Sequence, residues 1–232
     1  MSFDSPNLLY VASTWVVPVL IAITFHEAAH GYAAWWLGDD TAYRQGRVTL
    51  NPLKHIDLFG TVLLPAVLLI TGSPFLFGWA KPVPVVFERL RWPRRDMVIV
   101  AAAGPGTNIV LAVASAIMIN AVWLLPQGAE VWATAVLYNS IVLNLVLAVF
   151  NMLPLPPLDG GRVMTGLLPG PLAWKFSRIE PYGFMILLAL LVTGLLGKIM
   201  WPAISLVMGA LGLLSGLPAR EFKQILFALL GI

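Results

Sequence analysis

The sequence predicts an all-α polytopic membrane protein of about five to six transmembrane helices, one of them re-entrant, with a short β element at the cytoplasmic side. Three observations carry this expectation. Of 232 residues, 59% are hydrophobic and only 11% are charged, against about 45–50% and about 25% in a soluble domain. The apolar residues fall in runs long enough to cross a hydrocarbon core of about 30 Å. The 14 Lys and Arg lie almost entirely between those runs. A net charge of +3 distributed in this way suits a membrane surface and excludes nucleic acid as a partner. The lack of cysteine excludes a disulfide-stapled module, thiolate zinc sites, iron–sulfur ligation and thiol nucleophiles.

Residues 8–37 form the first apolar run. At 1.5 Å per residue it extends about 45 Å, too long for a cleaved signal peptide, and no basic stretch precedes it. Residues 38–57 are polar, and the alternation over 43–50 reads as a short strand. Residues 58–77 are apolar again but contain Gly60, Pro65, Gly72 and Pro74. A basic, proline-containing loop follows at 78–96. Two further spans, 97–125 and 131–153, are joined by the turn PQGAE. Residues 154–182 read as irregular, 183–217 as a tight hairpin of two short spans, and 219–230 as an amphipathic surface helix. No repeat divides the chain. One domain is expected over 1–232, with its core at 8–165 and a helical hairpin plus tail at 183–232.

His26-Glu27-Ala28-Ala29-His30 is an HExxH sequence within the first run. Histidines four residues apart on a helix lie one above the other, so both imidazoles can meet one ion. Glu27 sits about 100° round the helix, where a general base for water belongs. Buried histidines hydrogen-bonded among helices are the bland alternative. Three ionisable groups inside a transmembrane stretch are costly unless paired, ligated or hydrated, which favours a site. Catalytic zinc usually takes three protein ligands, so a third acid or histidine is needed at matching depth. Asp159 is the candidate. Pro154, Pro156 and Pro157 end the preceding helix, and Gly160 and Gly161 permit a turn directly after the acid.

The charges test this placement. If His26, His30 and Asp159 share one ion, the helices before them end at the same membrane face. The spans 97–125 and 131–153 supply the two crossings required, so 58–77 must return to the face it left. In that topology, and with 183–217 a hairpin so that Arg220 and Lys223 return to the same side, 13 basic residues collect on one face and only Lys198 lies opposite, as the positive-inside rule demands. The site then opens toward the cytoplasm.

Taken together, HEAAH (26–30), AAAGPGTN (101–108) and NMLPLPPLDGG (151–161) make the chain resemble the site-2 protease family of intramembrane zinc metalloproteases. NPLKHIDLFG (51–60) and FGWAKPVPV (77–85) are similar to a compact bacterial or archaeal branch without PDZ or CBS domains. The resemblance covers roughly residues 15–165. It implies one Zn2+ held by His26, His30 and Asp159. Glu27 would be base and acid for hydrolysis of a peptide bond in or near the transmembrane segment of a membrane-protein substrate. It carries Asn151 over as a carbonyl or oxyanion contact. It also implies residence in the plasma membrane of a bacterium or archaeon and regulated intramembrane proteolysis, with an anti-sigma factor or similar regulator as the kind of substrate.

Two residues keep open readings. The amide of Asn108, in a helix thinned by Ala101, Ala102, Ala103, Gly104 and Gly106, can reach a substrate carbonyl or make an ordinary interhelical hydrogen bond. His55 can stabilise an oxyanion, approach the metal, or cap the 58–77 segment. Asn144, seven residues before Asn151 on the same face, reads as packing. A membrane metal carrier or sensor using the same His/His/Asp site is the rival from another class, and a non-catalytic scaffold is a third. The carrier is disfavoured because no polar stripe continues through the other half of the spans.

Overall fold

Proline and hydrogen-bonding side chains set where the helices begin. A computed structural model of the protein describes residues 8–72 and 78–214. Helix α1 is Leu8–Trp36, followed by the single turn α2, Thr41–Arg44. Leu58–Leu63 winds as a wide π-type turn into α3, Leu64–Ile70. Asp57 starts that element by accepting from the backbone N–H groups of Phe59 and Gly60, the usual role of an acid at a helix N-terminus. Helix α4, Pro93–Ile119, opens on a proline whose missing N–H costs nothing there. Its buried Asp96 reaches back to the N–H of Trp92. Helix α5, Gln127–Asn151, follows Pro126. Then come α6 (Asp159–Leu167), α7 (Gly170–Ser177), α8 (Glu180–Val192) and α9 (Leu195–Leu214).

Four of these helices are long and apolar enough to cross a membrane: Ala12–Trp36 within α1, α4, α5, and Leu195–Gly212 within α9. Their outer faces need an apolar surrounding. Val110, Leu206 and Trp36 are 65%, 76% and 74% exposed, which in water would leave a large uncovered hydrophobic surface.

The hydrogen bonds between helices give their directions. His26 meets Asn108 and His30 meets the carbonyl of Val100, so α1 and α4 run antiparallel. Asn108 meets Asn144 and Ser115 meets Ser140, so α4 and α5 are antiparallel as well. Helices α1 and α5 are therefore parallel, with Asn139, midway along α5, donating to the carbonyl of Thr14 in the second turn of α1. Their C-terminal ends share one end of the bundle, as a common ion for His26, His30 and Asp159 requires. The apolar core runs along the bundle, with Ala112, Ala116, Ile141 and Leu145 of α4 and α5 in one cluster with Met200 and Met208 of α9.

Several expectations change. The alternating stretch 43–50 is not a strand: it is the end of α2 followed by turns, and no strand occurs among the described residues. Asp39 and Asp40 explain this locally. Asp39 accepts from Thr41 N–H and Asp40 pairs with Arg44, which closes a helical turn, and Gly46 (φ +62°) reverses the chain. Residues 154–182, read as irregular, contain α6 and α7. The described part of the 183–217 stretch divides into α8 and α9 at Gly194 (φ +69°). Trp79 comes back to the start of the 58–77 segment: its N–H donates to the carbonyl of Gly60 at 3.1 Å, and Thr61 Oγ1 donates to the carbonyl of Trp79. Gly60 is needed for this return, since a Cβ there would lie 2.4 Å from the Trp79 ring. The expected amphipathic helix at 219–230 lies outside the described residues.

Candidate metal centre

The i, i+4 spacing in α1 stacks His26 and His30, and the turn after α5 carries Asp159 to them at the start of α6. His26 Nε2 and His30 Nε2 are 3.1 Å apart, and each is 3.3 Å from Asp159 Oδ2. Zinc with ligand bonds of about 2.0–2.1 Å in a tetrahedron sets its ligands about 3.3 Å apart. The three atoms therefore form one face of such a tetrahedron. Among the described residues these are the only three histidines or acids grouped closely enough to share an ion.

The hydrogen bonds behind the imidazoles decide what that face can bind. His26 Nδ1 donates to Asn108 Oδ1 at 2.6 Å, and His30 Nδ1 donates to the carbonyl of Val100 at 2.7 Å. Both partners are acceptors, so each neutral ring carries its proton on Nδ1 and turns a bare lone pair on Nε2 inward. The Nε2–Nε2 contact is then not a hydrogen bond, and Asp159 Oδ2 is buried without a hydrogen-bond partner. Three lone-pair donors converging with no hydrogen between them demand a cation. The residues fit zinc.

The approach of the helices depends on missing side chains. A Cβ on Gly104 of α4 would sit 2.4 Å from His30 Nε2 and 2.7 Å from His26 Nε2. On Gly160 it would sit 2.3 Å from the carbonyl oxygen of Met152, on Gly161 2.3 Å from the nitrogen of Pro156, and on Gly183 of α8 it would overlap the carbonyl oxygen of Pro156. The segment that delivers Asp159 is thus packed backbone on backbone.

Glu27 is half-buried beside the metal face, and its Oε2 accepts from the backbone N–H of Val83 at 2.7 Å. Val83 belongs to an extended segment, 78–86, that is tied down along its length. Lys81 N–H donates to the carbonyl of His55, Arg47 Nη2 donates to the carbonyls of Lys81 and Pro82, and Val86 N–H donates to Asp39 Oδ2.

Of the other candidates, Asn108 lies at the centre but faces His26, and its amide also donates to the carbonyl of Ala22 and to Asn144 Oδ1. Its hydrogen bonds are used within the bundle. Asn151 sits on the last turn of α5, where its Nδ2 donates to the carbonyl of Leu147 in its own helix. His55 is buried under the loop with Nε2 on the carbonyl of Thr49, and it is not part of the metal group. Sequence reasoning missed the Val100 carbonyl, the Val83 N–H and the anchoring by Asp39 and Arg47. Main-chain groups have no residue signature. The two charged anchors are signalled only by their burial.

The pattern of the family described as Peptidase family M50 matches residues 125–194. Three relatives share the name "Putative zinc metalloprotease". YwhC of Bacillus subtilis is 41% identical over 202 residues, covering 82% of this chain and 85% of its own. MJ0611 of Methanocaldococcus jannaschii is 33% identical over 192 residues, covering 79% and 85%. Rip2 of Mycolicibacterium smegmatis is 31% identical over 180 residues, covering 77% of this chain and 66% of its own. No solved structure matches the chain.

Proposed function

Because the chain belongs to peptidase family M50, the site-2 protease family, and is a zinc metalloprotease, we propose that it cleaves membrane proteins within or beside a transmembrane segment, with His26, His30 and Asp159 holding one zinc. The observation that carries this reading is the triangle of Nε2, Nε2 and Oδ2 at 3.1–3.3 Å, with both Nδ1 protons committed elsewhere. Zinc bound there supplies a Lewis acid that polarises the scissile carbonyl and makes the attacking water more acidic.

The chain's own residues do the rest. Glu27 takes the proton from the water and returns it to the departing amine. Asn108 and the Val100 carbonyl keep both imidazoles oriented. Asn151 contacts the substrate carbonyl once its amide turns away from Leu147. His55 holds the loop below the site, giving support without touching the substrate. A helical peptide bond is shielded by its own hydrogen bonds, so the substrate must unwind before attack.

In this reading residues 1–232 form one proteolytic domain, with its core at about 8–165. The protein resides in the plasma membrane of a bacterium or archaeon with the site facing the cytoplasm, and the 58–77 segment is re-entrant. The out-and-back path from Gly60 to Trp79 and the distribution of basic residues support that topology. The substrate class is a single-span regulator of the anti-sigma type.

Co-expression of such regulators with wild type, Glu27→Gln and Asp159→Ala tests the proposal, with zinc measured on each protein. Cleavage by wild type alone, with zinc retained in Glu27→Gln and lost in Asp159→Ala, is expected. Metal flux without cleavage, or cleavage by Glu27→Gln, overturns it.

A further inference from the structure

Behind His26 runs a chain of buried and part-buried polar side chains that hydrolysis itself does not use. Asn108 Nδ2 donates to Asn144 Oδ1 at 2.8 Å, and Asn144 Nδ2 donates to the carbonyl and the Oγ of Ser140 at 2.9 and 3.2 Å. Ser140 Oγ and Ser115 Oγ are 2.8 Å apart, and Ser115 Oγ donates to the carbonyl of Leu111 at 2.8 Å. Asn108 and Asn144 are wholly buried and Ser115 nearly so.

Every donor in this chain has one available direction. The Ser115 proton goes to the Leu111 carbonyl, so Ser115 Oγ accepts from Ser140, whose oxygen in turn accepts from Asn144. Reversing the Asn108 amide would set its oxygen against the carbonyl of Ala22 and against Asn144 Oδ1. Reversing Asn144 to relieve that would set its oxygen against the Ser140 carbonyl. Neither carbonyl can turn, because both belong to helix backbone. In a low-dielectric interior such an oxygen–oxygen contact is costly.

We propose that Asn144 is a positioning residue for the metal centre: through Asn108, and anchored by Ser140 and Ser115, it fixes the His26 proton on Nδ1 and thereby keeps Nε2 bare for zinc. This goes beyond a packing role for Asn144 and rests on His26 being a zinc ligand. It assigns the tautomer of a residue in α1 to a hydrogen-bond direction set in α4 and α5. Ordinary interhelical packing needs no such direction.

The test is zinc affinity of the purified full-length protein, by chelator competition, in wild type, Asn144→Leu, Asn144→Asp and His26→Ala. Leucine fills the space but offers Asn108 no acceptor. A neutral carboxylic acid repeats the pattern of a carbonyl beside a donor. Loss of a partner behind a liganding histidine typically weakens metal binding about 10–100-fold. Zinc binding is expected to fall at least about tenfold in Asn144→Leu and to recover in Asn144→Asp, whatever the two do to thermal stability. Equal affinity in wild type and Asn144→Leu, or equal loss in both Asn144 variants, overturns the proposal.

If His26→Ala binds zinc as wild type does, the zinc reading fails and not only this inference. Should Asn144→Leu not fold, the imidazole 15N shifts of metal-free wild type decide. A proton on His26 Nδ1 is expected, and one on Nε2 overturns the assignment.

Discussion

Val83 donates its backbone N–H to Glu27 Oε2 across 56 residues of sequence, at 2.7 Å. Pro82 and Pro84 flank it and have no N–H, so this one amide is what the segment can offer the carboxylate at that point. A hydrogen bond to a charged acceptor contributes about 1.5–3 kcal/mol, enough to slow amide exchange roughly tenfold or more. The Val83 amide is therefore expected to exchange slowly in wild type and at least about tenfold faster in Glu27→Ala, with α4 amides unchanged as the internal control. Equal exchange at Val83 in both proteins would show that the contact does not persist in the membrane.

Glu27→Gln preserves size and removes the base. Cleavage is expected to drop by about 10²–10⁴ in rate while zinc content stays at one per chain. The measurement is initial cleavage rate alongside elemental analysis of the same preparation. A glutamine variant that cleaves at the wild-type rate would falsify the role given to Glu27.

Asp159→Ala removes one corner of the ligand triangle and leaves two imidazole lone pairs 3.1 Å apart. Zinc content is expected to fall well below one per chain, and the stabilising shift that zinc gives to the thermal unfolding of wild type should disappear. A variant whose unfolding temperature still rises with zinc would remove Asp159 from the ligand set.

Gly104→Ala places a methyl group 2.4 Å from His30 Nε2. The helices must separate or the imidazole must swing away, and either outcome spoils the triangle. Zinc affinity is expected to fall at least about tenfold, comparable to losing a partner behind a ligand. Gly106→Ala, where a Cβ meets nothing within 4 Å, should bind zinc normally. Equal affinity in the two alanine variants would contradict the packing described between α1 and α4.

The long helices were legible because length and hydropathy act over twenty or more residues. The runs 8–37, 97–125 and 131–153 correspond to α1, α4 and α5; α4 and α5 start about four residues earlier than hydropathy does, at Pro93 and just after Pro126, and α4 ends about six residues sooner, at Ile119. The grouping of His26, His30 and Asp159 was legible from spacing and scarcity. The strand at 43–50 was not there to be found. Alternation records which side of an extended chain is apolar, but a strand also needs a partner, and Asp39 and Asp40 had already closed a helical turn. Asn108 could not be settled in advance. Its amide fits a substrate or a neighbouring helix equally well until the opposite side chain is known, and that side chain is His26.

The four glycines that let α1, α4, α6 and α8 close on the centre give the protein an unusual mechanical tolerance. Large apolar residues such as Val110 and Leu206 point outward, where one hydrocarbon surface serves nearly as well as another. Positions 104, 160, 161 and 183 have no clearance for one carbon atom. Anyone recoding this enzyme for a new substrate has wide freedom over its bulkiest side chains. The strictest specification falls on the places where the chain has no side chain at all.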